Sequence, residues 1–446
     1  MEIEFGSWAI VHAPSLLALI PLIVYIVMAF RGKNNVSGLI TGIALAAIMF
    51  GLNLKQLAQI FQAALGSTTV LIGIIILAGA GLGVLMSETR VTHTLVYWII
   101  KKIGVNTQTK AKLALVIVSI LICGMLGTLG GGNAVIAPIM IPIMASLGIA
   151  PTVVAVLFKT AGEVGLILGP LTGVTLITME VTGLSYVQLL LYAALPFSLV
   201  WLIGTWIGVN RTQKRLEGKE VYKLSDDIKS IDSIEIHPKE KRTAIAFLIS
   251  FVLLVVYGVI TKQGTNYALI VMMILAAVIA IFNRMDIDSV IALMGKGMAS
   301  QFNMLLIFIT IEVLLNLVTA GGGFDALAGL LGGLAKQAGP FAVYIIASIV
   351  GGFGIEAAAV AEIKIISDMF GGLAVETGLP MAVFATSILA ATRITGSIYP
   401  TTNFAGQMGT AQSENTKEAL QAMWISVAIV WAWIIIWGFI GPMILG

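Results

Sequence analysis

The sequence predicts an all-α integral membrane protein made of two inverted-topology repeats, and three observations carry that expectation. Of 446 residues, 59% are hydrophobic and only 11% charged, with a mean hydropathy of +1.03, more apolar surface than a soluble fold can bury. Apolar stretches of about 18 or more residues recur without the alternation of barrel strands, so the spans are helical. Sliding the sequence over itself by 230 positions brings Gly148-Ile149, Pro170 and Thr172 onto Gly378-Leu379, Pro400 and Thr402. Ala155 and Ala161 then fall on Ala385 and Ala391, and LNLKQLAQIFQAALG (52–66) lies over MDIDSVIALMGKGM (285–298) at nearly the same offset. A register held across both halves marks a duplication.

Taken in order, the start MEIEFGSW has no basic n-region and leads into an apolar run too long for a signal-peptide core, so the first helix is expected to be retained. The first repeat, 1–208, reads as spans near 8–30, 37–52 and 67–88, a hairpin at 112–147, a proline-broken span at 151–183 and a last span at 186–208. The second, 242–446, repeats this at 242–261, 267–283, 302–320, 341–371, 381–411 and 419–444. A re-entrant hairpin leaves each half an odd number of crossings, which inverts the second half relative to the first. With the N-terminus outside, Arg31, Lys33, Arg90, Lys101, Lys102, Lys110, Lys112, Arg211, Lys214, Arg215, Arg284 and Lys296 fall inside. Only Lys55, Lys262 and Lys336 then fall outside, as the positive-inside rule asks. Residues 209–241, rich in both charges, read as a cytoplasmic linker. VTHTLVYWIIKKI (91–103) and FDALAGLLGGLAKQA (324–338) read as interfacial arm helices.

Several function classes are disfavoured at once. Cys123 stands alone, and His12, His93 and His237 are scattered without metal-ligand spacing, so neither a disulfide framework nor a metal enzyme is expected. No nucleophile with a base and no phosphate loop is present, which argues against any enzyme. The net charge of +3 is small and falls in loops expected to be cytoplasmic, and it implies no nucleic-acid partner.

The chemistry is expected where helices break. In GMLGTLGGGNAVIAPIMIPIM (124–144), Gly131 and Gly132 allow close backbone approach, and Asn133 marks a helix restart. Non-helical backbone at membrane depth is tolerable when it lines a polar cavity, and exposed N–H groups there suit an anion. The plainer reading is a tight glycine crossing. Its counterpart, GGFGIEAAAVAEIKIISDMF (351–370), adds Glu356, Glu362, Lys364 and Asp368 in an apolar setting; Glu356 is a candidate coupling-ion ligand, the others a buried structural pairing.

FKTAGEVGLILGPLTGVT (158–175) and LAATRITGSIYPTTNFAG (389–406) each carry a mid-span proline that breaks the helix. Carbonyls freed ahead of Pro170 and Pro400, at Gly169 and Tyr399, suit a cation, and each new helix N-terminus suits an anion. Thr172, Thr401, Thr402 and Asn403 are the natural side-chain ligands, unless the hydroxyls bond back to their own backbone. Glu163 and Arg393 occupy equivalent places, seven residues before each proline. Arg393 is the candidate for a substrate carboxylate through bidentate pairing. Glu163 is either a coupling acid or the partner of Lys159 four residues earlier. Glu312, Asn303 and Asn316 are further polar candidates.

Two inverted halves with hairpins, proline-polar breaks and arm helices resemble the ion transporter superfamily over essentially the whole chain. The GGGNAVIAPIMIPIM and SIYPTTNFAGQMG segments are similar in layout to the gluconate permease, lactate permease, anaerobic dicarboxylate and NhaC-type antiporter branches. The Ser-Asn-Thr signature of divalent anion symporters is replaced here by Gly-Gly-Asn at 131–133 and Thr-Thr-Asn at 401–403. The resemblance implies an elevator mechanism, with hairpins and broken spans moving against a scaffold of the first two and last spans, in a homodimer of the inner membrane. The leading expectation is Na+- or H+-coupled transport of a small organic anion, such as a hydroxy- or amino-carboxylate, with no cofactor beyond the coupling ion. The alternatives are a Na+/H+ antiporter and the membrane subunit of an assembly fed by a soluble binding protein.

Overall fold

A computed structural model describes residues 5–222, 236–354 and 359–445, apart from the side chains of 333–336, 354, 391 and 402. Helix is the only regular structure among them, because backbone polar groups in a bilayer must be satisfied within their own segment. Ten helices are long and apolar enough to cross a membrane among the described residues. The protein is thus an all-α, multi-pass membrane protein.

The first half runs α1 (Ile20–Phe30, after a 3-10 turn at Leu16–Leu19), α2 (Asn35–Met49), α3 (Leu54–Leu65), α4 (Thr68–Glu88) and α5 (Val91–Ile103). It continues with α6 (Gln108–Leu126), α7 (Leu129–Ser146), α8 (Pro151–Leu168) and α9 (Gly173–Thr182). A short α10 (Tyr186–Leu189) then passes through a π turn at Leu190–Ala194 into α11 (Leu195–Leu216). The second half repeats the order with α12 (Pro238–Ile260), α13 (Asn266–Asn283), α14 (Ile287–Ser300), α15 (Phe302–Ala320) and α16 (Gly323–Gly354, bent at Gly339–Pro340). It ends with α17 (Ala359–Glu376), α18 (Met381–Ile398), α19 (Thr402–Thr410) and α20 (Thr416–Leu445).

Four features depart from the sequence expectation. The first span does not start near residue 8: Ser15 accepts a hydrogen bond from Leu17 N–H and starts the helical run there, leaving α1 and α2 short. The segments matched at 52–66 and 285–298 are helices, α3 and α14, each opened by a side-chain cap at Asn53 or Asp286. The linker is shorter than 209–241, since α11 runs on to Leu216 and α12 begins at Pro238. The last turn of α11 is held by Gln213, which donates to Gly148 O and accepts from Ala150 N–H at 2.9 and 3.0 Å. Finally, the last spans α11 and α20 pack on each other and on the broken helices, α8 and α18, not on α1 and α2.

Packing divides the helices into two groups. One gathers α1, α2, α3, α4, α12, α13, α14 and α15; the other gathers α6 to α11 and α16 to α20, and α5 packs against both, on α12 and α6. Within the second group α6 approaches α8 closely. A Cβ on Gly165 or Gly169 would lie 2.5 Å from Ile120 O or 2.4 Å from Gly124 O, so these backbones touch only because both positions are glycine. Chain direction fixes two faces. Ser15 N–H donates to Gly321 O, and Gly6 N–H to Phe50 O, so the starts of α1 and the ends of α2 and α15 share one face. The α1–α2 connection and the start of α15 therefore lie at the other.

Candidate substrate site between two broken helices

The hairpin α6–α7 starts and ends together, with Gln108 Nε2 donating to Leu147 O at 3.0 Å. Its tip turns at Gly127, whose φ of +66° belongs to the left-handed region that glycine enters freely. Thr128 then caps α7 by accepting from Gly131 N–H at 2.9 Å. The helix therefore restarts at Leu129, four residues before Asn133. Asn133 is fully buried and committed elsewhere: Oδ1 accepts from Ser119 Oγ at 2.7 Å, and Nδ2 donates to Phe158 O and Gln407 Oε1 at 2.8 and 2.7 Å. It ties the hairpin to α8 and α19 and does not line the cavity described below; neither do Gly131 and Gly132, and a Cβ on Gly132 would strike Cys123 Sγ at 2.6 Å.

Pro170 and Pro400 break their helices as expected, but the two breaks differ. At the first, Thr172 is buried and caps α9, accepting from Thr175 N–H, while its hydroxyl approaches Leu166 O and Gly169 O. Thr175 Oγ1 donates to Ile167 O at 2.9 Å, and Tyr186 Oη to Leu168 O at 2.7 Å. The carbonyls that proline frees, Gly169 included, are thus taken by the protein's own hydroxyls. At the second break Thr401 caps α19, accepting from Phe404 N–H at 3.3 Å. Tyr399, Pro400, Thr401 and Asn403 line an open cavity of about 680 Å³, within the usual size of a small-molecule site. The side chain of Thr402 lies outside the described residues, as does all of Glu356.

The cavity is walled by Arg393, Thr392 and Thr395 of α18, Glu362 of α17, Glu163 of α8, and Asn303 near the start of α15. It reaches the α1–α2 connection at Lys33, Asn34 and Asn35. A smaller space of about 100 Å³ runs from Arg393 and Asn403 to the first hairpin tip at Gly127–Gly130. Four buried charges meet here. Lys159 Nζ lies 3.1 Å from Glu163 Oε2, and Arg393 Nη1 lies 3.8 Å from the same oxygen. Lys159 also donates to Ser397 Oγ at 3.4 Å and sits 5.3 Å from the centre of the Trp201 ring. Glu362, 4% exposed, acts on Lys159 through its charge. Glu163 is therefore the partner of Lys159 and of Arg393 at once. Arg393, 3% exposed, keeps Nε and Nη2 without a hydrogen-bond partner among the described residues.

Sequence reasoning did not find Thr392, Thr395, Ser397 or Gln407. Gln407 carried a legible signal, an amide within a short helix of small and apolar residues, where a buried polar group must find a partner. The threonines carried none, because a helical threonine commonly bonds its own backbone wherever it points.

The transporter-component family described as "Tripartite ATP-independent periplasmic transporter, DctM component" matches residues 2–207 and 136–400. None of the curated proteins matches the sequence. Among solved structures, the MtrF protein of Neisseria gonorrhoeae, presented as illuminating a class of antimetabolite efflux pumps, is similar at 15% identity and a TM-score of 0.61, over 98% of this chain and 97% of that one. The Alcanivorax borkumensis YdaH transporter is similar at 15% identity and a TM-score of 0.59, over 87% and 90%. At that identity the two show a shared fold. The match does not confirm any of the four branches that the sequence resembles in layout; it is to a secondary transporter component, which agrees with the alternative of a membrane subunit in a larger assembly. The chain belongs to the DctM family.

Proposed function

We propose that this chain is the membrane component of a multicomponent secondary transporter for a small organic anion, bound at Arg393 between the second break and the first hairpin tip. The observation that carries the reading is the unpaired edge of a buried guanidinium. Nε and Nη2 lie on one edge of the plane, the edge that receives both oxygens of a carboxylate. A desolvated donor pair left empty is costly, and a ligand that fills it recovers that cost. The N-terminus of α19 and Asn403 face the same space, adding a dipole suited to negative charge.

Charge balance supports cation coupling. Lys159 and Arg393 match Glu163 and Glu362 in number, so a carboxylate would bring one uncompensated charge into a buried site. Such a charge costs several kcal/mol, which one accompanying Na+ or H+ would offset. Coupling through Glu163 or Glu356 remains part of this proposal. The two packing groups suggest an elevator in which the hairpins, broken helices, α11 and α20 move together against α1 to α4 and α12 to α15. With the α1–α2 connection assigned to the cytoplasm by its charges, the cavity is the inward-facing one. The family description names a tripartite periplasmic system, which supports delivery of substrate by a partner on the opposite face.

The test is thermal stability of the purified protein across carboxylates and amino acids, with and without Na+, repeated on Arg393→Ala. Stabilisation by one class of organic anion, lost in the variant, is the expected result, since a ligand binding only the folded state raises its melting temperature. Response to Na+ or pH alone, unchanged by the variant, would favour the Na+/H+ antiporter and overturn the anion site.

A further inference from the structure

An apolar cavity of about 310 Å³ lies between α6, α8 and α11 and shares no lining residue with the polar cavity at Arg393. Its inner side is Leu157, Thr160 and Ala161 of α8, all buried, and its walls are Leu113 and Val116 of α6 and the stretch of α11 from Leu199 to Ile207. The Thr205 hydroxyl donates to the Thr160 hydroxyl at 3.3 Å, so the two polar groups inside are turned onto each other. Leu113, Leu199 and Ile203 are 44%, 52% and 57% exposed. The cavity therefore opens sideways between α6 and α11, toward a surrounding bilayer, and it follows α11 for about 12 Å. A slot of this length and lining accepts one hydrocarbon chain.

The end of the slot carries the opposite chemistry. Lys112, next in sequence to Leu113, is 3% exposed. Its ammonium donates to Asn210 Oδ1 and lies 5.7 Å from the centre of the Trp206 ring, which itself lines the cavity. An ammonium has three donors, of which Asn210 takes one, and no carboxylate pairs with Lys112 among the described residues. Lys159 and Arg393, also buried, share Glu163. Lys112 is instead a buried positive charge among neutral neighbours, a costly arrangement that an anion would relieve. More positive charge gathers at the same end. Exposed Lys110 stands three residues before Leu113, and exposed Arg211 and Lys214 stand four and seven after Ile207, spacings that put them on the helix faces that line the slot. Arg215 is already paired with Glu418 at 2.6 Å. This is the end that the loop charges assign to the cytoplasm.

We propose that the slot is a binding site for an anionic phospholipid of the cytoplasmic leaflet, with one acyl chain between α6, α8 and α11 and the phosphate at Lys112, ringed by Lys110, Arg211 and Lys214. Basic pockets between helices at the cytoplasmic side hold anionic headgroups in this way. All three helices belong to one packing group, so the lipid is held within that group and not at its boundary with the other.

The test needs neither an organic anion nor a transport cycle, so its outcome is independent of the Arg393 reading. The delipidated chain in neutral detergent is melted with phosphatidylglycerol, with phosphatidylcholine of the same acyl chains, and with glycerol phosphate. Phosphatidylglycerol is expected to raise the melting temperature by about 2 °C or more above phosphatidylcholine, and glycerol phosphate to leave it unchanged. The preference is expected to vanish in Lys112→Gln and also in Leu202→Trp, which fills the slot and leaves every charge in place. Equal stabilisation by the two lipids, an effect of glycerol phosphate as large as that of phosphatidylglycerol, or a preference that survives either substitution overturns the site. Where Lys112→Gln yields no folded protein, native mass spectrometry compares the parent with Leu202→Trp. Phosphatidylglycerol retained by the parent and lost from the variant supports the site, and equal retention overturns it.

Discussion

The breaks at Pro170 and Pro400 are the same backbone device at equivalent positions of a duplicated chain, yet they end in opposite states. At the first, hydroxyls from Thr172, Thr175 and Tyr186 cover Leu166, Ile167, Leu168 and Gly169 carbonyls. At the second, Tyr399, Thr401 and Asn403 face open space beside an incompletely paired arginine. A broken helix is therefore a source of unsatisfied groups, and side chains decide whether those groups hold the fold or hold a ligand. On the function proposed above, the first break serves stability and the second recognition.

That assignment is broken or sharpened by four substitutions. Glu163→Ala leaves Lys159 and Arg393 without their shared carboxylate, and a loss of about 3–5 kcal/mol in stability is expected, read by denaturation in detergent. Arg393→Ala is expected to weaken anion binding by about 2–3 kcal/mol, roughly 30- to 150-fold, measured by calorimetry. Thr172→Val at the sealed break should lower stability by about 1–2 kcal/mol and leave anion affinity within a factor of two or so of the parent. Asn403→Ala at the open break should do the reverse, weakening the anion by about 1 kcal/mol with the melting temperature unchanged. If Thr172→Val lowered affinity more than Asn403→Ala, the division between the two breaks would fall.

Much of this was legible in residue types. Prolines flanked by polar residues located both breaks, and the buried charges Glu163 and Arg393 stood out because ionisable groups at membrane depth need partners. Direction was not legible. Thr172 and Thr401 follow their prolines alike, and only packing turned Thr172 back onto Leu166 and Gly169. Asn133 read as a ligand because glycines precede it, whereas the cap at Thr128 placed it inside α7, facing Ser119 and Gln407. The two packing groups were also not legible, since the place of α11 and α20 beside α8 and α18 depends on contacts far apart in sequence. The helices α3 and α14 were visible as matched segments, and their caps at Asn53 and Asp286 were the signal that they were helical.

The contact between Asn133 and Gln407 joins residues 274 positions apart. At about 5–20 residues per second of synthesis, the amide of Asn133 waits roughly 15–55 s for its last partner to be made. During biogenesis the first hairpin is therefore inserted long before it is complete, and it reaches its final hold only when the closing helices of the second half arrive.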